Sequence, residues 1–192
     1  EYRRQRQMCI RDSCDAIQLR GIRSAPDFIT LDSADGGTGA APQGLMDNMG
    51  LPVATSLPLA HEKLATAGLR ERIKLIASGK MVNPAGVAAA LWLGADVVCS
   101  ARGLMFALGC IQALQCNENT CPTGITTHDP KLQKGLDPTV KANRVANYAI
   151  SMREEVDLIA HSCGVMEPKL LTPQHAYLVD ARGRPTSLSQ TL

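Results

Sequence analysis

The stretch IKLIASGKMVNPAGVAAALWLGADVVCS, residues 73–100, decides the fold. It opens with an apolar run at 73–77, turns through a serine and a glycine, and closes with a second apolar run at 96–99. Between the two runs, Asn83 supplies an N-cap and Pro84 the first position of a helix. A strand, a helix and a second strand in this order form a βαβ unit, which predicts a parallel sheet in an α/β fold.

The same alternation continues upstream of this unit. A third short apolar run covers residues 28–31, and a helical pattern over residues 57–67 ends at Gly68. The chain therefore supplies about three βα units, whose apolar runs are typical of buried parallel strands.

A long helix and a polar tail follow these units. Asp137 caps the helix, Pro138 occupies its first position, and apolar residues recur along it at steps of three and four. Past Pro168 the sequence becomes polar. We expect a loosely attached tail, residues 166–192, with one strand near 176–179.

Composition limits the function classes. The chain has 192 residues, 45% of them hydrophobic, which suffices for one core. The net charge of +2 is spread along the chain and aromatic residues make up 3%, so nucleic-acid binding has little support. We expect no membrane segment, because no apolar run reaches about 18 residues. Seven cysteines, an odd number, argue against a secreted disulfide framework and favour the reducing cytoplasm.

The N-terminal segment, EYRRQRQMCIRDS at residues 1–13, is basic and has neither helical nor strand periodicity. It resembles a translated sequencing-adapter read-through, and a disordered basic arm is the alternative. We therefore predict a non-native or disordered segment and exclude it from the fold.

Three cysteines lie close together in GCIQALQCNENTCPTG, with the spacing C-x5-C-x4-C. Thiolates this close, with Pro122 after the last one, favour soft-metal ligation and most of all an iron–sulfur cluster. Three ligands rather than four indicate a cluster with three irons, held by Cys110, Cys116 and Cys121. A zinc site with His128 as fourth ligand is the alternative.

Three further cysteines, Cys14, Cys99 and Cys163, are expected to be small apolar core residues. Asn117 and Asn119 are expected to stabilise the cysteine loop and to donate hydrogen bonds to its sulfurs, and exposure to solvent is the alternative. His61 and His175 are expected at the surface.

The loop DSADGGTGA follows a predicted strand end, where barrel enzymes build their active sites. Paired glycines let the backbone approach a planar ring or an anion, and a tight turn is the alternative. We predict catalytic roles for this loop, with Asp35 as the only carboxylate near the chemistry: Asp35, Gly36, Gly37 and Thr38.

Two more loops follow the next two strands. Loops after neighbouring barrel strands can bind a phosphate through backbone amides, and a lysine or an arginine could add charge-assisted hydrogen bonds. A solvated loop position is the alternative for either cation. The predicted cofactor-binding residues are Ser78, Gly79, Lys80, Ala101, Arg102 and Gly103.

Four motifs in one order carry a family resemblance: ITLDSADGGTGAAP (29–42), LRERIKLIASGK (69–80), LGADVVCSARGLMFALGC (93–110) and NENTCPTGITTHDPKL (117–132). Over about residues 25–165 the chain resembles the C-terminal part of the FMN-binding synthase domain of glutamate synthases, most of all the shorter bacterial branch. The resemblance implies a TIM (β/α)8 barrel. Residues 14–165 would be its truncated C-terminal portion, about strands 6–8, plus a long C-terminal helix.

The resemblance also implies cofactors and chemistry. The cysteines would hold a 3Fe–4S cluster beside FMN, and the DGGTGA loop would close over flavin and substrate. Long glutamate synthases carry glycine and threonine near the positions of Lys80 and Arg102, so the roles of these two side chains are not carried over.

The implied enzyme is a glutamate synthase-like oxidoreductase acting on CH–NH2 donors. It would reduce 2-iminoglutarate, formed from 2-oxoglutarate and ammonia or glutamine-derived ammonia, to glutamate. Ferredoxin or a pyridine-nucleotide reductase subunit would donate electrons. Two alternatives stay open: a related synthase that uses an amine such as methylamine, and an FMN and iron–sulfur electron-transfer module without imine reduction. We expect the present segment alone to be inactive.

Overall fold

The computed structural model describes residues 2–35, 44–45 and 48–187, without the side chains of residues 2–8 and 178. Short 3-10 turns cover Ile22–Ser24, Pro168–Leu170 and Pro173–His175. In chain order, the helices and strands are α1 (Tyr2–Arg20), β1 (Phe28–Asp32), α2 (Val53–Thr66), β2 (Lys74–Ser78), α3 (Pro84–Trp92), β3 (Val97–Cys99), α4 (Arg102–Leu108), α5 (Pro130–Gln133), α6 (Pro138–Ser162), β4 (Tyr177–Val179) and β5 (Pro185–Ser187).

Strands β1, β2 and β3 form a parallel sheet with β2 in the middle. Ile76 of β2 pairs with Thr30 of β1 on one side and with Val97 of β3 on the other. All three strands follow the predicted apolar runs. The prediction of an α/β fold with a parallel sheet is confirmed.

The two faces of this sheet differ. Leu75 and Ala77 of β2 are completely buried on the face that carries the helices. On the other face, Phe28 of β1 is 58% exposed and Val97 of β3 is 50% exposed. Parallel sheets are usually covered on both faces, whereas one face of this sheet is open.

Local signals define the helix starts as predicted. The side chain of Asn83 accepts a hydrogen bond from the backbone N–H of Gly86, and Asp137 caps α6 by accepting from Thr139. Helix α2 begins at Val53, four residues before the predicted start at 57. A carboxylate 18 positions earlier in the chain accepts the Val53 N–H at 2.6 Å, which a local pattern does not reveal.

The main core lies between the sheet and α1, α2 and α3. Its largest fully buried side chains are Leu57, Leu64, Ile73 and Leu75.

Helix α1 contributes to this core and includes most of the N-terminal segment that was predicted to be non-native or disordered. Residues 2–13 belong to α1 rather than to a segment without regular structure. Ile10, Cys14 and Ile17 recur at steps of four and three and pack against the main core. The burial of Cys14 was predicted, and the origin of the segment as read-through stays a prediction.

Arg70 holds together the N-terminal ends of β2 and β3. Its guanidinium donates to the carbonyl oxygens of Ile73 at 3.2 Å and Gly94 at 2.8 Å and pairs with Asp96 at 2.8 Å. Its Nε donates to Nδ1 of His61 at 3.0 Å.

His61 is thus half-buried, and the prediction that it lies at the surface is wrong. Burial lowers the pKa of His61, and the positive charge of Arg70 lowers it further.

The C-terminal tail is attached more firmly than predicted. Leu171 is 5% exposed and packs with Ala88 of α3 and Ala160 of α6, and the partly buried Cys163 packs against the same cluster, as predicted. The predicted strand near 176–179 is present as β4, which pairs antiparallel with β5. Within the described residues, no helix is long and apolar enough to cross a membrane.

Candidate functional site

A cavity of about 660 Å³ opens at the carboxyl-terminal edge of the parallel sheet. Thr30 of β1 and the last residues of the three strands, Asp32, Ser78 and Cys99, line it. The loops after β2 and β3 and the loop after α4 complete the lining. Ligands of α/β proteins bind at this edge, because the strand ends and their loops converge there. The volume lies within the usual range for small-molecule sites, about 300–1,000 Å³.

The structure brings five of the six predicted cofactor-binding residues to this cavity. Gly79 has φ +145°, and a Cβ there would overlap the side chain of Ser33, so glycine is required where the loops after β1 and β2 meet. Gly103 is buried and is not among the cavity-lining residues. The five that line the cavity are Ser78, Gly79, Lys80, Ala101 and Arg102.

The three predicted metal ligands line the same cavity. Cys121 is 8% exposed, whereas Cys110 and Cys116 are half-buried. Burial raises the pKa of the Cys121 thiol, but hydrogen bonds from Thr123 and Thr126 outweigh burial and lower the pKa to about 6. Because the thiolate is the form that ligates metal, this environment suits a ligand.

One sulfur of the cysteine loop has a hydrogen-bond donor from the loop itself. The backbone N–H of Gln112 points at Sγ of Cys110 at 3.5 Å, a contact of the kind that tunes iron–sulfur centres. The side-chain oxygen of Asn119 accepts from the backbone N–H of His128 at 2.6 Å. Asn119 therefore stabilises the loop from an exposed position, and its donation to a sulfur stays a prediction.

The cysteines share a cavity but do not form a coordination sphere in this conformation. Across residues 2–35, 44–45 and 48–187, no three histidine, cysteine, aspartate or glutamate side chains lie close enough to hold a metal ion. His128 is exposed and is not among the cavity-lining residues, so the zinc alternative gains no support. Three thiols lining one cavity, with no histidine among the described residues of its lining, fit a cluster better than they fit a single zinc ion. The cluster itself stays a prediction.

Asp35 lines the cavity, as predicted, but its carboxylate also has a structural partner. Its Oδ2 accepts from the backbone N–H of Val53 at 2.6 Å and from the hydroxyl of Ser33 at 3.2 Å. It thereby ties the loop after β1 to the start of α2. The other predicted catalytic residues, Gly36, Gly37 and Thr38, lie outside the described residues.

Two cavity residues were missed by the sequence analysis. Asp32 also lines the cavity and accepts a hydrogen bond from the hydroxyl of Ser78 at 3.0 Å, so the prediction that Asp35 is the only carboxylate there is wrong. Cys99 is an exposed cavity residue rather than a core residue. Asp32 and Cys99 each end a parallel strand, and the rule that sites form at strand ends could have identified both.

Comparisons with known proteins agree with the motifs. A family model described as a conserved region in glutamate synthase matches residues 7–166. The match begins inside the N-terminal segment that the sequence analysis excluded from the fold.

Similar proteins include a glutamate synthase large subunit-like protein, YerD, from Bacillus subtilis. It is 49% identical over 150 residues, which are 78% of this chain and 29% of that protein. An archaeal glutamate synthase (NADPH) from Methanocaldococcus jannaschii is 38% identical over 150 residues, 78% of this chain and 29% of that protein. A glutamate synthase large subunit-like protein from Rhizobium meliloti is 32% identical over 169 residues, 80% of this chain and 38% of that protein. The present chain thus spans between 29% and 38% of the length of these relatives.

Proposed function

The chain belongs to the glutamate synthase family, and on this premise we propose that it is part of an FMN- and iron–sulfur-dependent enzyme that converts 2-oxoglutarate and ammonia to glutamate. One observation carries the proposal. The two loops suited to a phosphate and the three cysteines suited to a cluster line a single cavity at the sheet edge.

The open sheet face supports the barrel part of the proposal. Side chains of β1 and β3 stand exposed on one face, with Phe28 at 58% and Val97 at 50%. In a closed barrel this face would point inward and be filled by side chains from the other strands. We propose that β1, β2 and β3 are strands 6–8 of a TIM barrel whose remaining strands lie in other parts of the complete polypeptide.

Backbone N–H groups of the two loops at residues 78–80 and 101–102, which line the cavity, would bind the FMN phosphate. Lys80 and Arg102 line the cavity beside these groups and would contribute positive charge to the same end of the nucleotide. In its reduced form, which the electron donor regenerates, bound FMN would supply the hydride for imine reduction.

Cys110, Cys116 and Cys121, which line the same cavity, would hold the cluster. When bound, a 3Fe–4S cluster supplies one-electron transfer. The hydrogen bonds that favour the Cys121 thiolate would keep that sulfur ready to bind iron at neutral pH.

The substrate would bind near the strand ends of β1 and β2. The carboxylate of Asp32, held by the Ser78 hydroxyl, can accept hydrogen bonds from an N–H group in the cavity and so favour a protonated imine nitrogen. Asp35 joins the chain just after β1 to the start of α2. The segment of residues 35–40 would exclude water from the imine, which water otherwise hydrolyses.

The test is glutamate formation by the complete polypeptide under anaerobic, reducing conditions. The mixture should contain 2-oxoglutarate and a low-potential electron donor, with ammonia and methylamine compared as nitrogen donors. We expect glutamate with ammonia. N-methylglutamate alone would favour the amine-specific synthase. A protein with bound FMN and cluster that makes neither product would favour the electron-transfer module.

A further inference from the structure

Tyr148 of α6 joins the segments that follow β2 and β3. Its hydroxyl donates to the carbonyl oxygen of Val82 at 3.1 Å and lies 3.4 Å from Oγ of Ser100. The Ser100 hydroxyl in turn donates to the carbonyl oxygen of Met81. One phenol hydroxyl therefore links the chain just after residues 78–80 to the chain just before residues 101–103.

The same ring explains the glycine at position 103. A Cβ on Gly103 would overlap the Tyr148 hydroxyl and would lie 2.6 Å from its Cζ and 2.7 Å from Oγ of Ser100. Gly103 is buried in the first turn of α4 and does not line the cavity. Its lack of a side chain therefore serves close packing against Tyr148 rather than close approach to a ligand.

Helix α6 is a suitable support for these contacts. It has 25 residues, packs against both α3 and α4, and begins with an aspartate cap and a first-turn proline. A Cβ on Gly109 would lie 3.0 Å from Nζ of Lys141, so the same helix also reaches the residue before Cys110. The loops after β2 and β3 and the start of the cysteine loop thus rest on one continuous element.

We propose that Tyr148 is a positioning residue that sets the separation of the two loops after β2 and β3, and thereby the affinity of the cavity for the phosphate end of a flavin nucleotide. This inference rests on the proposed function. Tyr148 is not among the cavity-lining residues, so it acts through the loops. Backbone amides from two loops bind one phosphate only when they converge on it, and hydrogen bonds are sensitive to shifts of a few tenths of an ångström.

The experiment compares FMN with riboflavin, which has the same ring and lacks the phosphate. Flavin-free complete polypeptide is titrated with each compound, and flavin fluorescence gives both Kd values. Tyr148→Phe removes the hydroxyl and keeps the ring. We expect its Kd for FMN to rise about three- to tenfold, the effect of one lost hydrogen bond, and its Kd for riboflavin to stay within about twofold.

Tyr177→Phe is the matched control, because this tyrosine of β4 is exposed and does not line the cavity. It should leave both Kd values unchanged. If Tyr148→Phe does not fold, Ser100→Ala removes the neighbouring hydroxyl and should raise the FMN Kd selectively in the same way.

Each other outcome has a distinct meaning. An unchanged FMN Kd in Tyr148→Phe and Ser100→Ala would overturn the inference. An equal rise for FMN and riboflavin would also overturn it, because Tyr148 would then support the fold in general. A wild-type polypeptide that binds neither flavin would instead refute the proposed function, on which the inference rests.

Discussion

Replacement of Arg70 by leucine should destabilise the chain far more than the same replacement of Arg72. The two arginines lie two positions apart, and each pairs with an aspartate at 2.8 Å. The side chains of the Arg70–Asp96 pair are only 14% and 24% exposed, whereas those of Arg72 and Asp27 are 39% and 87% exposed. Arg72 also donates to two carbonyl oxygens, those of Ala25 at 3.3 Å and Pro26 at 3.5 Å, so burial is the main difference between the two arginines.

The expected magnitude follows from the partners that each change leaves behind. Arg70→Leu leaves the carbonyl oxygens of Ile73 and Gly94 without this donor and takes the nearest cation away from Asp96. Breaking a buried ion pair costs about 3–5 kcal/mol of folding stability. Asp96 still accepts a hydrogen bond from the backbone N–H of Leu75 at 2.8 Å, so we expect Arg70→Leu to cost about 2–3 kcal/mol. An exposed pair contributes about 0–1 kcal/mol, and Arg72→Leu should cost no more than that.

Urea unfolding followed by circular dichroism measures both changes. With an m-value of about 2 kcal/mol per molar urea, Arg70→Leu should lower the midpoint by about 1 M, and Arg72→Leu by less than half as much. Equal midpoints for the two variants would refute the reasoning, because burial would then not determine the contribution of the pair.

Three further predictions concern protonation, packing and metal. Burial and the neighbouring guanidinium lower the pKa of His61, so the folded chain binds fewer protons than the unfolded chain just below pH 6.5. The free energy of unfolding should therefore fall as the pH drops through this window. Urea midpoints of His61→Gln should show a smaller fall over the same pH range. Gly94→Ala should lower the free energy of unfolding by about 3 kcal/mol and Gly68→Ala by about 1 kcal/mol. Both glycines have positive φ, but only a Cβ at position 94 would meet the His61 ring. Equal shifts of the thermal unfolding midpoint would contradict this. In the complete polypeptide, Cys116→Ser should abolish bound iron and Cys163→Ser should not, and zinc in place of iron in the wild type would argue against the cluster.

Much of the fold was predictable because its signals are local. The Asn83–Pro84 and Asp137–Pro138 pairs satisfy or remove backbone donors within the first turn of a helix, so they act wherever that helix lies in the protein. Short apolar runs between such helices leave a parallel sheet as the simplest arrangement. The family was also evident at this level, because four motifs in order do not depend on how the chain packs.

The same local reasoning failed where neighbours come from distant parts of the chain. The apolar residues of α1 lie among arginines in the sequence. Their role is visible only in the folded structure, where Ile10 and Ile17 pack against the main core. The environment of His61 depends on Arg70, nine positions later in the chain, and on Gly94, which precedes β3.

By itself, the sequence determined the α/β class, the helix caps and the family, and it predicted a set of residues for binding a cofactor. Only the tertiary structure decided which of these residues share a cavity. It added Asp32 and Cys99 to the cavity lining, because the strand register places both at strand ends. It also decided that Gly103 packs against Tyr148 instead of lining that cavity. The physical reason is that capping and periodicity are set within a few residues, whereas burial and the convergence of loops depend on contacts between residues far apart in the chain.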